Sequence, residues 1–144
     1  MHRMGEMWEF AVLAVWCVWL SVTDLRTRRL PNAVTLSGAV AIVGVAGLRG
    51  ELRPAIVGAL LLAGVYLFMH LASPASMGGG DVKLALGLGA ATGTAGSAVW
   101  LAAAVGAFAL TALVGCVLRV AGRRVEDLPH GPSMCFATLA ALTL

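Results

Sequence analysis

The sequence predicts an all-α integral membrane protein, a polytopic bundle of about six transmembrane helices in a single domain over residues 1–144. Of its 144 residues, 60% are hydrophobic and 12% are charged, whereas soluble domains carry roughly 25% charged residues. Charged side chains are missing from residues 54–80 and from residues 84–118. A helix needs about 20 apolar residues to cross a bilayer, so runs of this length indicate several crossings.

The six predicted helices cover residues 8–23, 32–48, 54–72, 81–92, 96–119 and 131–144. Asn32 is suited to cap the second helix after Pro31, and Pro54 suits a first helical position. Ser73 and Pro74 end the third helix. The uncharged run that begins at residue 84 would make a helix of ~52 Å, which is too long for one crossing. The Gly- and Thr-rich segment 92–96 therefore folds it back.

Lysine and arginine are distributed unevenly between alternate loops. The segments 24–31, 73–83 and 119–130 hold seven of them, and the opposite side, with the N-terminus, holds three. The positive-inside rule then places these three segments in the cytoplasm and both termini outside. The N-terminal stretch has no A-x-A site, so we interpret it as a retained first helix rather than as a cleaved signal peptide.

The composition also argues against several classes of function and of stabilising site. Nucleic-acid binding is not expected, because the chain has a surplus of only three positive charges. Cys17, Cys116 and Cys135 are isolated in apolar stretches without a CxxC pair. We interpret all three as small buried hydrophobic residues, with no metal site and no disulfide framework. Small residues spaced four apart allow close packing of membrane helices: Ala59 and Ala63, Gly87 and Ala91, and Ala103 and Ala107.

Four acidic residues fall on the predicted cytoplasmic side. Glu126 and Asp127 adjoin arginines in a polar loop and are interpreted as solvated loop charges. Asp24 and Asp81 instead lie where apolar helices meet the interface, Asp24 ending the first helix and Asp81 opening the fourth. A carboxylate at the membrane boundary is costly, so these two are candidates for a functional site.

Both aspartates also have ordinary structural explanations. Asp24 could pair with Arg26 or Arg28, and Asp81 could be the N-cap of the fourth helix. However, the three consecutive glycines at 78–80 exceed what a helix cap requires. Glycines permit positive φ and remove side-chain bulk, so an extended peptide could approach Asp81 closely.

Two neighbouring carboxylates can catalyse peptide hydrolysis without a metal or a cofactor. Because both cannot easily ionise at close range, the pair shares a proton. The ionised member activates a water, and the protonated member polarises the carbonyl and then protonates the leaving amine. The sequence lacks the H-E-x-x-H and G-x-S-x-G motifs of other hydrolases. His70 and His130 are interpreted as structural residues.

Three segments resemble the type IV prepilin peptidases, membrane aspartic proteases with a GxGD motif. The most specific segment is 78–84, which reads GGGDVKL. Segment 24–32 reads DLRTRRLPN and is similar to the first-aspartate segment of that family. Segment 128–132 reads LPHGP and is similar to the proline pair that opens its last helix. Together these segments span the chain from the first helix to the last.

The resemblance implies that Asp24 and Asp81 are the catalytic pair, at the cytoplasmic face of the cell (inner) membrane. It implies a prepilin substrate, cut between a short basic leader and a hydrophobic helix. The residues that support the motif are then Gly78, Gly79, Gly80, Lys83, Pro31 and Asn32. Lys83 would tune the charge of Asp81 or hold the end of the helix.

Two departures from the family pattern refine this expectation. The larger family members carry cysteine pairs linked to N-methylation, and this chain has none, so we expect a compact, peptidase-only form of the Flp-pilus type. His130 stands where we expect an aromatic or aliphatic residue.

Two alternative functions remain: a membrane assembly or transport subunit whose aspartates bind a cation or proton, and an intramembrane protease of presenilin type.

Overall fold

The computed structural model describes residues 2–125 and 128–144, with side chains from Glu6 onward. This part of the chain forms six α-helices and no strands. The helices are α1 (His2–Thr27), α2 (Asn32–Leu48), α3 (Leu52–Ala72), α4 (Gly79–Ala95), α5 (Ser97–Val120) and α6 (Gly131–Ala141). The all-helical prediction is therefore confirmed for the described residues.

The predicted order of helices is correct, but several boundaries differ. Only α2 has the predicted bounds, while α1 begins at His2 and continues to Thr27. It ends where Arg28 adopts a positive φ of 52°. Helix α4 has 17 residues rather than the predicted 12, because Gly79 and Gly80 are helical and the helix continues to Ala95. Hydropathy marks only the apolar part of a helix, whereas backbone hydrogen bonds continue into its polar ends.

Two predicted helix starts are wrong in detail. Pro31, and not Asn32, occupies the N-cap position of α2, and none of the described side chains caps that helix. The backbone carbonyl of Pro31 instead accepts hydrogen bonds from the amide and the hydroxyl of Thr35. Helix α3 begins at Leu52, so Pro54 lies in the first turn rather than at the first position. A proline is tolerated throughout the first turn, where its missing N–H has no partner within the helix.

In the described part of the chain, three helices are long and apolar enough to cross a membrane: Glu6–Thr27, Leu52–Ala72 and Ser97–Val120. Helix α2 is apolar but shorter. Large apolar side chains lie exposed along the outer faces of these helices, for example Val15, Leu60 and Val105. Such faces suit contact with lipid, and the protein is a helical membrane protein. That all six helices cross, with the N-terminus outside, stays a prediction.

Helix α4 is the central helix of the bundle and packs against α2, α3, α5 and α6. Its closest neighbour is α3, where three glycines allow the two backbones to touch. A Cβ on Gly93 would lie 2.5 Å from the carbonyl oxygen of Pro54, and a Cβ on Gly58 would collide with the backbone of Gly89. The indole N–H of Trp100 on α5 donates to the Gly58 carbonyl at 3.0 Å. Glycine therefore sets the separation of α3 and α4, as the abundance of small residues indicates.

The turn between α4 and α5 is a single residue. Gly96 has φ 114°, a conformation that L-residues with side chains rarely adopt, and its amide bonds to the carbonyl of Gly93. The predicted reversal within residues 92–96 is confirmed, although only its last residue lies outside a helix.

Candidate active site

An open cavity of about 920 Å³ lies at one end of the bundle. It is formed where α1, α3 and α5 end and where α2, α4 and α6 begin. Residues from 28–32, 74–80 and 128–130 line it, together with Asp24 and Asp81. The three segments that the charge distribution places on one side of the membrane therefore meet around one cavity.

Asp24 lies in the last turn of α1 and points into the bundle. Only 6% of its surface is exposed, and its Oδ2 atom has no hydrogen-bond partner among the described residues. The first residue of α6, Gly131, contacts it: a Cβ there would lie 2.6 Å from Oδ2 of Asp24. The Gly131 backbone amide also interacts with the carboxylate. A buried oxygen without a partner is costly, and such a group in a cavity can bind a reactant.

Asp81 is the third residue of α4 and lines the same cavity with 8% of its surface exposed. Gly78 occupies the N-cap position, and the Asp81 amide donates to the Gly78 carbonyl at 3.2 Å, so the alternative of Asp81 as the cap is wrong. Burial, and then the charge of Asp24, raise the pKa of Asp81 to about 7. The Gly78 amide and His70 oppose this shift. The two carboxyl groups are thus close enough to influence each other.

The glycines before Asp81 act through their missing side chains and not through positive φ. Gly78 is extended, Gly79 and Gly80 are helical, and none of them has a positive φ. A Cβ on Gly80 would lie 3.2 Å from Cβ of Leu30, which is a tight contact. A Cβ on Gly78 would meet Oδ2 of Asp81 only at 3.9 Å. The glycines therefore let the 28–31 loop pack against the start of α4 and leave the approach to Asp81 open.

Lys83 and Asn32 join α4 to α2. The ammonium group of Lys83 donates to Oδ1 of Asn32 at 2.8 Å. The interaction ties the helix that carries Asp81 to the first residue of α2, and Pro31 and Asn32 form part of the cavity wall.

His130, which the sequence analysis interpreted as a structural residue, contacts two polar residues that the sequence analysis did not single out, Tyr66 and Thr111. His130 is 7% exposed and lines the cavity. One ring nitrogen, Nε2, lies 2.9 Å from the hydroxyl of Tyr66, and the other, Nδ1, lies 2.6 Å from the hydroxyl of Thr111. Burial lowers the pKa of His130 to about 4, so the ring is neutral at physiological pH. The available signal was Tyr66, the only tyrosine of the chain, which lies within the uncharged run 54–80.

His70 supports the loop between α3 and α4. Nδ1 of His70 lies 2.6 Å from the carbonyl oxygen of Met77. This contact fixes the segment that precedes the three glycines.

The cysteine prediction is correct for two residues of three. Cys17 on α1 and Cys135 on α6 are buried, but Cys116 on α5 is exposed. It lies on an outer face of the bundle, where an apolar thiol is compatible with lipid. Glu126 and Asp127, predicted to be loop charges, lie outside the described residues.

The fold and the site define a helical membrane protein with two buried carboxyl groups in one open cavity. The model of the type IV leader peptidase family matches residues 11–120, which include both aspartates. The chain belongs to this family and is a peptidase. No curated protein and no solved structure shows significant similarity to it.

Proposed function

We propose that the protein is a membrane aspartic endopeptidase that removes the short basic leader from type IV, Flp-like prepilins. Family membership supports the peptidase activity. The single observation that carries the catalytic assignment is the shared cavity, into which Asp24 and Asp81 both open. The proposed activity needs neither a metal nor a cofactor.

The two carboxyl groups differ in protonation in the proposed mechanism, and this difference lets the pair activate a water. With a pKa of about 7, Asp81 retains a proton in a large fraction of molecules at neutral pH. We assign it as the general acid, which polarises the scissile carbonyl and then donates its proton to the leaving amine. Asp24 is the general base, because its carboxyl group lines the same cavity and can accept a proton from a water there. When two carboxyl groups interact, each protonation step is a property of the pair. The assignment of Asp81 as the acid and that of Asp24 as the base therefore depend on each other.

The cavity suits a peptide at the membrane boundary. It is open, and Gly78, which lies beside Asp81, has no side chain that could obstruct the carboxyl group. A substrate with a helix in the bilayer presents its leader at this end of the bundle. The exposed apolar faces of the protein suit the bilayer as the surrounding solvent. We place the protein in the cell membrane as a multi-pass protein with the site facing the cytoplasm, in agreement with the positive-inside rule.

Co-expression with the Flp-type prepilins of the same genome tests the activity. Leader removal is scored as a mobility shift on a gel. Asp24→Asn and Asp81→Asn are each expected to abolish processing while the protein still inserts into the membrane. Glu51→Gln is the matched control, because Glu51 lies in the turn between α2 and α3 and does not line the cavity. Wild-type processing by either aspartate variant would contradict the mechanism.

The orientation needs a separate experiment. A single cysteine is introduced at Ser76, an exposed residue of the cavity rim, in a variant that lacks the three native cysteines. An impermeant thiol reagent should label it only after the cells are opened. Rapid labelling in intact cells would place the site on the outside.

A further inference from the structure

The side chain of His130 bridges two helices at the point where α6 begins. Its ring lies between the Tyr66 hydroxyl on α3 and the Thr111 hydroxyl on α5. The ring of Phe108 also packs against it, with the centroids 5.3 Å apart. A neutral imidazole has one donor and one acceptor, and both find a partner here. The ring is therefore fixed from two directions.

The backbone of His130 is fixed by the next helix. Its carbonyl accepts the first hydrogen bond of α6, from the amide of Met134 at 3.1 Å. The following residue is Gly131, whose amide interacts with the Asp24 carboxylate and whose missing side chain leaves room for Oδ2. The ring contacts and the Asp24 contact thus belong to adjacent residues.

We propose that His130 is a positioning residue for Asp24: its ring, held between Tyr66 and Thr111, fixes Gly131 against the carboxylate. The role deepens the peptidase mechanism and rests on it. His130 acts through the backbone of Gly131 and takes no proton from the substrate.

A purely structural role makes a different prediction. A histidine that only fills space between α3 and α5 could be replaced by a planar ring of similar volume without effect on Asp24. A positioning residue requires the two nitrogen contacts. His130→Phe keeps the ring and removes both contacts, whereas His130→Gln keeps a donor and an acceptor at the end of the side chain.

The first measurement does not depend on peptidase activity. The purified full-length protein in lipid vesicles is treated with dicyclohexylcarbodiimide, an apolar reagent that adds to protonated carboxyl groups. Mass spectrometry then gives the labelling rate of Asp24 and of Asp81 separately. His130→Phe should label Asp24 at least threefold faster than wild type, because residue 131 no longer covers the carboxylate, while labelling of Asp81 stays unchanged. His130→Gln should lie closer to wild type.

Thr111→Val removes one of the two contacts with little change in volume and should also accelerate labelling of Asp24. Thr94→Val is its matched control, because among the described residues the Thr94 hydroxyl bonds only to a carbonyl of its own helix, that of Ala91. Equal acceleration at both aspartates would indicate general loosening and would overturn the proposal. Labelling of Asp24 at the wild-type rate in His130→Phe would also overturn it.

The second measurement is cleavage of a prepilin peptide. His130→Phe should lower kcat at least tenfold with KM within twofold, because the substrate still binds beside a displaced base. A rise in KM alone would contradict the positioning role. If the wild-type protein cleaves no prepilin, the proposed function fails, and the labelling rates still decide whether His130 positions Asp24.

Discussion

The absence of a side chain at Gly131 makes room for the carboxylate of Asp24. A Cβ at this position would lie 2.6 Å from Oδ2, closer than real Cβ contacts. In Gly131→Ala, the carboxylate or the start of α6 must move. A displacement of about 1 Å at a catalytic group can cost ~100-fold in rate, so leader cleavage should fall at least tenfold.

The gel-shift assay measures this loss, and circular dichroism checks that the helices remain. Gly44→Ala is the matched control, because a Cβ at Gly44 meets no atom of the described residues within 4 Å. Equal cleavage by Gly131→Ala and Gly44→Ala would show that Asp24 does not need its observed position.

The pKa of Asp81 predicts the pH dependence of cleavage. Burial and the Asp24 charge raise the pKa of Asp81 to about 7, so the group loses its proton as the pH rises through that value. If Asp81 is the acid, kcat/KM should fall above about pH 7, approaching tenfold per pH unit. Initial rates between about pH 5 and pH 9 measure this dependence.

A spectroscopic titration separates the two causes that raise the pKa of Asp81, which are burial and the charge of Asp24. In Asp24→Asn, the repulsion from Asp24 is gone, so Asp81 should titrate at lower pH than in the wild type. Carbon NMR of labelled aspartate follows the transition. An unchanged midpoint would mean that the two carboxyl groups do not interact.

Close packing of α3 and α4 predicts a stability effect at Gly93. In Gly93→Ala, the added methyl group would lie 2.5 Å from the carbonyl oxygen of Pro54 and 3.0 Å from Cα of Gly58. Overpacking of this kind costs about 1–3 kcal/mol. Thermal unfolding in detergent should therefore show a lower Tm. In the control, Gly64→Ala, the added Cβ meets no atom within 4 Å in the part of the chain that the structure describes, and the Tm should not fall.

The contact between Lys83 and Asn32 is tested by a double-mutant cycle. Lys83→Met and Asn32→Ala each remove one partner of the 2.8 Å hydrogen bond. If the bond supports the cavity wall, each variant should lower processing by a similar, modest factor, roughly twofold to fivefold, and the double variant should be no worse than either. Multiplied losses would show that the two residues act independently.

The sequence was sufficient for the parts of the structure that depend on apolar length and on charge. The uncharged runs predict the all-helical bundle and the order of its helices. The placement of the arginines predicts that the three basic segments lie at the same end of the bundle. The sequence also identified the two candidate aspartates, because few of its carboxylates lie beside apolar helices. The structure places Asp24 and Asp81 in one cavity, whereas the sequence shows only their positions along the chain.

Contacts between distant segments could not be read from the sequence. Neither the approach of Gly131 to Asp24 nor the bridge from Tyr66 through His130 to Thr111 has a local pattern, because each joins residues on different helices. The capping error at Asn32 has the same origin. The local preference of asparagine favours a cap, but the side chain of Asn32 instead accepts a hydrogen bond from Lys83 on α4. Tertiary contacts thus override local preference.

The central claim is that Asp24 and Asp81 act as one catalytic unit, and a kinetic comparison tests it most directly. Purified wild-type protein, Asp24→Asn, Asp81→Asn and the double variant are assayed on one peptide that spans the leader junction. Each single variant should lose at least about 1,000-fold in kcat, and the double variant should be no slower than the singles, because the two groups serve one step. A single variant that keeps a tenth of the wild-type kcat, or losses that multiply in the double variant, would contradict the account.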